Sequence, residues 1–458
     1  MKQVGLTIAT VLSVAIFFGA CRKETFTETD NAGVPLSAAK NPDPGFADND
    51  MVMYWNLKAQ TVLDGPFTPP AQERAFAMIQ IAVHDALNAI KPKYDRYALL
   101  NQREQFASPD AAVASAAYWT IKGMNLQASF PVDTWYTESL ATVPESPGKE
   151  LGKTLGHAAA DAIIANRSTD NFAQANVQAP GPDGILPGEY RSTLPFSLPG
   201  MPKIKALHQW GTLMRPFVTE SNAQFRPAAP YPVNSAAYEA DYNEVKTKGG
   251  RFNHTRTANE SEIGIFWVER CTIAWNRVAR NIIATKKMDA WKTARLFALL
   301  HTAMADGASG CFEAKYYYRY WRPETAIRLG NDDGNPNTVG DPSWLPFNTE
   351  TPNLANPALN VNTPPIPDYP SAHANFGGAA AGILLAYFGT DNININETSN
   401  TLTGVVRPYT SIRQAARDNA LSRIYVGYHF RNACLKGEAQ GYAIANYVFA
   451  HSFRESDD

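Results

Sequence analysis

The chain has 458 residues, of which 45% are hydrophobic, and its 41 Lys and Arg against 43 Asp and Glu leave a net charge of −2. That length suits two to three ordinary domains or one large one, and a sizeable core is feasible. With no general basicity, nucleic acid is excluded as an expected partner, and any pocket that gathers cations is a local feature.

Met1-Lys2 is followed by an apolar run from Val4 to Ala20 and then Cys21. Lys2 is a charged leader and the run is short for a membrane span. Phe18-Gly19-Ala20-Cys21 resembles a bacterial lipobox, whose cysteine is acylated and becomes the new N-terminus. The expectation is an exported lipoprotein on the periplasmic or outer membrane or the cell surface, cleaved after residue 20, lipidated at Cys21 and touching membrane only through that anchor. An ordinary secretory signal is the plainer alternative. Residues 21–50, rich in Thr, Asp, Asn and Pro, read as a tether.

Helical periodicity dominates the chain beyond residue 50. The spacing predicts helices over 71–90, 111–124, 150–166, 260–284, 289–320, 373–387, 411–426 and 435–451, the second opened by Ser108-Pro109-Asp110 as N-cap and N1 proline. Gly152 and Gly156, one turn apart, suggest close helix packing. Proline-rich stretches at 168–235 and 330–370 interrupt them, and loops that long are usually functional or disordered. The second runs into Pro370-Ser371 and is expected to wall the mouth of a site. No fixed repeat and no strand run is visible. The prediction is an all-α fold, with an N-terminal helical part over 51–235 and a C-terminal bundle over 236–458.

The chemistry gathers in that C-terminal part. Lys315…Arg322-Pro323, Pro370-Ser371-Ala372-His373 and Ser422-Arg423…His429 together offer three cations, a hydroxyl and two imidazoles. Lys and Arg supply N–H donors and no acceptor, so a site collecting them wants anionic oxygens. One histidine of such a pair can bond a central atom while the other moves protons. Lys315 and Arg322 are two helical turns apart, and Arg423 and His429 less than two, so each pair is expected to share a helix face. Pro370 fits N1 of a helix whose first turn, carrying Ser371, the Ala372 N–H and His373, attracts an anion.

These residues resemble, in order, the three-part signature of the vanadium-dependent haloperoxidases, which share a fold with the type 2 phosphatidic acid phosphatases. The flanking text is similar too: Tyr320-Trp321-Arg322-Pro323-Glu324, Thr363-Pro364-Pro365, Gln224-Phe225-Arg226-Pro227 and Ala82-Val83-His84-Asp85. The likeness runs from about residue 52 to the end. It implies two packed helical bundles and vanadate as cofactor, with His429 bonded to vanadium. Lys315, Arg322, Arg423, Ser371 and the Ala372 N–H would hold its oxygens, and His373 would act as acid–base residue. Hydrogen peroxide and halide would be the substrates, and a homo-oligomer is compatible with the resemblance.

Four positions depart from the family pattern. The motif-two glycine is Ala372, and the acid often found four residues after the metal-bonding histidine is Ala433. Another acceptor, such as a backbone carbonyl, must then fix the tautomer of His429. The aromatic pair that accompanies chloroperoxidase activity is replaced by Phe312 and Ile366, which points to iodide or bromide. Asp306 and Glu313 are either partners of the motif cations or plain helix ion pairs. His84, His157, His208, His254, His301 and His451 read as core or surface residues. Cys271, Cys311 and Cys434 read as buried thiols or as one disulfide plus a free thiol. The same cage suits phosphate, so a secreted phosphomonoesterase with a phosphohistidine intermediate is the alternative, and a non-catalytic lipoprotein the third reading.

Overall fold

A computed structural model describes residues 49–456 apart from 66, 201, 202, 204 and 349–362. The signal segment, Cys21 and the tether to residue 48 lie outside the described residues. The first helices are α1 (Asp50–Leu63), α2 (Pro69–Ile90), α3 (Pro109–Gly123), α4 (Val132–Ala141), α5 (Pro147–Arg167) and the single turns α6 (Phe172–Ala175) and α7 (Trp210–Leu213). Then come α8 (Ala236–Lys248), α9 (Ala258–Phe266), α10 (Cys271–Ala284), α11 (Ala290–Tyr318), α12 (Pro323–Arg328), α13 (Ala372–Phe388), α14 (Ile412–Tyr425) and α15 (Arg431–His451).

Helices begin where the sequence supplies caps. The side chains of Ser108, Ser146, Ser235, Asp289 and Ser371 each accept the backbone N–H three residues on. At Thr257 the bond is reciprocated by Glu260, a full capping box.

Three features differ from the sequence expectation. The helix expected over 260–284 is broken into α9 and α10, and the break frees the Trp267 carbonyl for use elsewhere. Trp267 is fixed there by packing on Trp275 and by its indole N–H, which donates to the Tyr409 hydroxyl at 2.9 Å. Helices α1, α4 and α8 lie outside the expected spans, although α1 buries Met51, Val52, Trp55, Ala59 and Val62 at helical spacing. Short antiparallel pairs also occur: β1 (Ala179–Pro180) with β2 (Lys205–Ala206), and β3 (Asn392–Glu397) with β4 (Arg407–Ser411). The alternation Asn392-Ile393-Asn394-Ile395 is a period-two strand pattern.

Helices α1, α2, α3 and α5 pack on one another, α10, α11, α13, α14 and α15 do the same, α12 rests on α8, and α2 lies along α11 between the two groups. One apolar core runs through both, from Trp55 and Phe76 to Phe297, Ala379 and Ile444. The tightest seam joins α13 to α15, where glycines let backbone meet backbone. A β-carbon on Gly437 would lie 2.3 Å from Ser371 O, and one on Gly441 2.1 Å from Asn375 O. Among the described residues, no helix is long and apolar enough to cross a membrane.

Candidate active site

The seven-residue spacing of Lys315 and Arg322 does not act as two turns of one helix. α11 stops at Tyr318, Arg319 adopts a positive φ of 48°, and Arg322 becomes the N-cap of α12. A chain reversal, not helical period, brings the two cations together. The same correction applies to Arg423 and His429. α14 ends at Tyr425 and Gly427 takes a φ of 82°, so the loop folds back until the Tyr428 N–H donates to Arg423 O at 2.8 Å. A side chain at 427 would also strike Gly249 O at 2.5 Å. Pro370 falls short of N1: Ser371 is the N-cap and α13 begins at Ala372, whose N–H therefore has no intrahelical carbonyl.

These turns converge Lys315, Arg322, Ser371, Arg423 and His429, all buried, beside the half-buried Ala372 and His373. Lys315 Nζ donates to the carbonyls of Pro367 at 2.6 Å and Asp368 at 3.0 Å. Arg322 donates through Nε to Ile366 O at 2.7 Å and through Nη1 to Tyr428 O at 2.8 Å. Segment 366–368 of the proline-rich stretch thus forms one wall of the site, as expected. Loss of water pushes Lys315 down to about 7 and lowers Arg322 and Arg423 as well. Arg423 rests its guanidinium over the Tyr428 ring at 4.9 Å, and its Nε and Nη1 are buried with no hydrogen-bond partner among the described residues. Buried donors of that kind call for an acceptor.

The two imidazoles have different, assignable tautomers. Arg322 Nη1, which can only donate, lies 2.9 Å from His429 Nε2 and 3.4 Å from Nδ1, so that contact does not choose between the ring nitrogens; the carboxylate of Asp368 beside Nδ1 does, placing the proton there and the lone pair on Nε2. Nδ1 lies 2.8 Å from Asp368 Oδ1. Asp368 therefore occupies the place of the acid missing at Ala433, a role the sequence reading gave to an unnamed acceptor. In His373 the pattern is reversed: Nε2 donates to Trp267 O, leaving the lone pair on Nδ1. The His373 carbonyl is pinned by Asn419 Nδ2 at 3.0 Å and the Cys271 thiol at 3.4 Å. Burial and the neighbouring cations hold both histidines well below their ordinary pKa, and therefore neutral.

The surrounding acids are structural. Asp306 accepts the backbone N–H groups of Phe217, Val218 and Thr219 at 2.6 to 2.9 Å, and Glu313 pairs with Arg226 in two bonds. Neither reaches the motif cations. Glu324, buried, ties Leu194 N at 2.8 Å and the Thr363 hydroxyl at 2.5 Å, so both proline-rich loops are fastened to α12. His301 is a core residue between Glu73 and Asn276, and His84 contacts Asp85. Cys271, Cys311 and Cys434 are free, buried thiols. Phe312 and Ile366 pack with Leu207, Trp210, Tyr316 and Ala372 into an apolar wall beside the cage.

Among the described residues, no group of three His, Cys, Asp or Glu forms a metal-ion site. The donor set is instead cationic around one neutral imidazole, which fits a tetrahedral oxyanion whose central atom accepts a nitrogen.

Comparison with known proteins agrees with that reading of the fold. Residues 295–457 match the family model of the VCPO second helical-bundle domain. The chain is 26% identical over 513 residues to vanadium chloroperoxidase of Curvularia inaequalis, covering 87% of this chain and 81% of that protein. Among solved structures it resembles the first bacterial vanadium-dependent iodoperoxidase, with TM-score 0.72 and 24% identity over 92% of this chain and all of that one. It also resembles an apo bacterial vanadium-dependent chloroperoxidase, with TM-score 0.64 and 15% identity over 84% of this chain and 93% of that one.

Proposed function

We propose, for a chain with the vanadium haloperoxidase fold whose residues 295–457 match the VCPO second helical-bundle family, that it is a vanadate-dependent haloperoxidase. The observation that carries this is the cage of three buried cations around a neutral His429, with Arg423 Nε and Nη1 unpartnered among the described residues. Lys315, Arg322 and Arg423 neutralise the oxyanion, and the Ser371 hydroxyl and Ala372 N–H complete its donors. His429 Nε2 would bond the central atom. When bound, vanadate supplies a Lewis acid that activates hydrogen peroxide toward halide. His373 accepts and returns the peroxide proton through Nδ1. The apolar wall of Phe312 and Ile366 suits a large, polarisable halide, so iodide or bromide is preferred over chloride. The protein works outside the cytoplasm, anchored by lipid on Cys21.

The His429–Asp368 contact favours one second reading. An imidazole oriented by a carboxylate is also a phosphoryl acceptor, and a phosphomonoesterase would use His429 as nucleophile and His373 to protonate the leaving alcohol. One preparation decides between them, with peroxide-dependent iodide oxidation measured with and without vanadate beside hydrolysis of a phosphate ester. Vanadate-dependent iodide oxidation supports the haloperoxidase. Ester hydrolysis inhibited by vanadate, without iodide oxidation, supports the phosphatase. Neither activity would overturn both.

A further inference from the structure

We propose that Asp368 is the positioning residue of this centre, holding the proton of His429 on Nδ1 through a carboxylate steadied by one buried water shared with Asp241 and Tyr238. The proposal rests on the reading of His429 as the residue that bonds the oxyanion.

The backbone at Asp368 is fixed before its side chain is considered. Its N–H donates to Tyr320 O at 2.8 Å and its carbonyl accepts from Lys315, while Pro367 O and Ile366 O take further donors of the same cations. The carboxylate is fully buried and Oδ1 is 2.8 Å from His429 Nδ1, off the N–H axis. The Phe430 N–H also approaches it, yet neither oxygen has a well-aligned donor among the described residues. A buried carboxylate so poorly satisfied needs another partner.

Behind it lies the space for one. A small pocket of about 10 Å³ is lined by Asp368, Asp241, Tyr238 and Tyr320, with Pro230 and Tyr231 also in its wall. That is about the room one water needs. The Tyr238 hydroxyl is buried beside the Trp321 indole N–H, with no well-aligned hydrogen bond among the described residues, and Asp241 Oδ2 accepts the Asn432 N–H at 2.8 Å. A water here donates to both carboxylates and accepts from Tyr238, three bonds in all, the ordinary complement of a buried water. The arrangement ties the orientation of His429 to α8, through Tyr238 and Asp241, and to the start of α15, through Asn432. Burial pushes the Asp368 carboxyl up to about 7; in its ionised form it raises the donor strength of Nε2, which a carbonyl does less well. Arg322 Nη1 lies close to both ring nitrogens, so Asp368 is the group that distinguishes the two tautomers.

The test reads the proton itself, in protein free of vanadate, by NMR. A hydrogen-bonded Nδ1–H gives a protected imidazole proton downfield of the amides, assigned by its loss in His429→Gln. Wild type and Asp368→Asn, which keeps an acceptor oxygen, are expected to show it, and Asp368→Ala to lack it. Equilibrium dialysis of vanadate is expected to show affinity reduced by roughly 10–100-fold in Asp368→Ala and by less in Asp368→Asn. The proposal is overturned by absence of the signal in wild type, its loss in Asp368→Asn, its persistence in Asp368→Ala, or unchanged vanadate affinity in Asp368→Ala. Failure of wild type to bind vanadate would refute the haloperoxidase reading instead, because the proton signal does not depend on it.

Discussion

Replacing Gly437 by Ala is expected to damage the oxyanion cradle without touching any charged group in it. The new β-carbon would lie 2.3 Å from Ser371 O and 3.1 Å from Ser371 N, where an unstrained contact is roughly 3.5 Å. Both neighbours are backbone, and the Ser371 N–H is already bonded to Ala433 O at 2.9 Å, so no flexible side chain can give way. The start of α13 must move by about 1 Å relative to α15. Overpacking of this kind costs roughly 1–3 kcal/mol, and the better helix propensity of Ala returns about 1 kcal/mol. The net loss of stability is therefore small, about 0–2 kcal/mol by urea unfolding. The site suffers more, because a shift of about 1 Å in positioned groups costs on the order of 10²-fold in turnover. Gly441→Ala, one turn further along α15 against Asn375 O, is the control, with a similar stability loss and a smaller activity loss. Wild-type iodide turnover and vanadate affinity in Gly437→Ala would refute the reasoning.

The two histidines are expected to fail differently. In a vanadate titration His429→Ala loses affinity steeply, whereas His373→Ala keeps vanadate and loses ~10²–10⁴-fold in turnover; equal loss of binding in both would end that division of labour. Vanadate affinity is expected to fall as pH rises through neutrality, because burial holds Lys315 at about 7 and an oxyanion binds its charged form, so binding takes up a proton above that pH. Lys315→Met should bind more weakly and with a flatter pH dependence in dialysis between pH 6 and 9; an unchanged slope counts against Lys315 as a contact. Replacing Cys21 by Ser should release the protein from membranes, and mass spectrometry showing a different N-terminus without acyl chain would rule out the lipoprotein.

Much of the site was legible because the residues that carry it sit in short, ordered motifs. The geometry that joins them was not. Helical spacing explained the pairing of Lys315 with Arg322 and of Arg423 with His429, whereas the structure uses the reversals at Arg319 and Gly427. A positive φ at an arginine has no reliable local signal, although Gly427 between Val426 and Tyr428 is a readable turn cue. Asp368 escapes a sequence reading because the pattern places the acceptor for His429 one helical turn downstream, at Ala433. Its partner lies 61 positions away, beyond α13, the β3–β4 pair and α14, and nothing in a single sequence marks that contact. The caps at Ser108 and the α11 span follow from local chemistry. The break between α9 and α10 depends on where Trp267 packs, which is a tertiary effect.

The most direct test of the central claim is a crystal structure of the protein soaked with vanadate. One vanadium per chain is expected, bonded to His429 Nε2 and surrounded by Lys315, Arg322, Arg423, Ser371 and the Ala372 N–H. Vanadium bonded to His373, or no vanadium in this cage at saturating concentration, would contradict it.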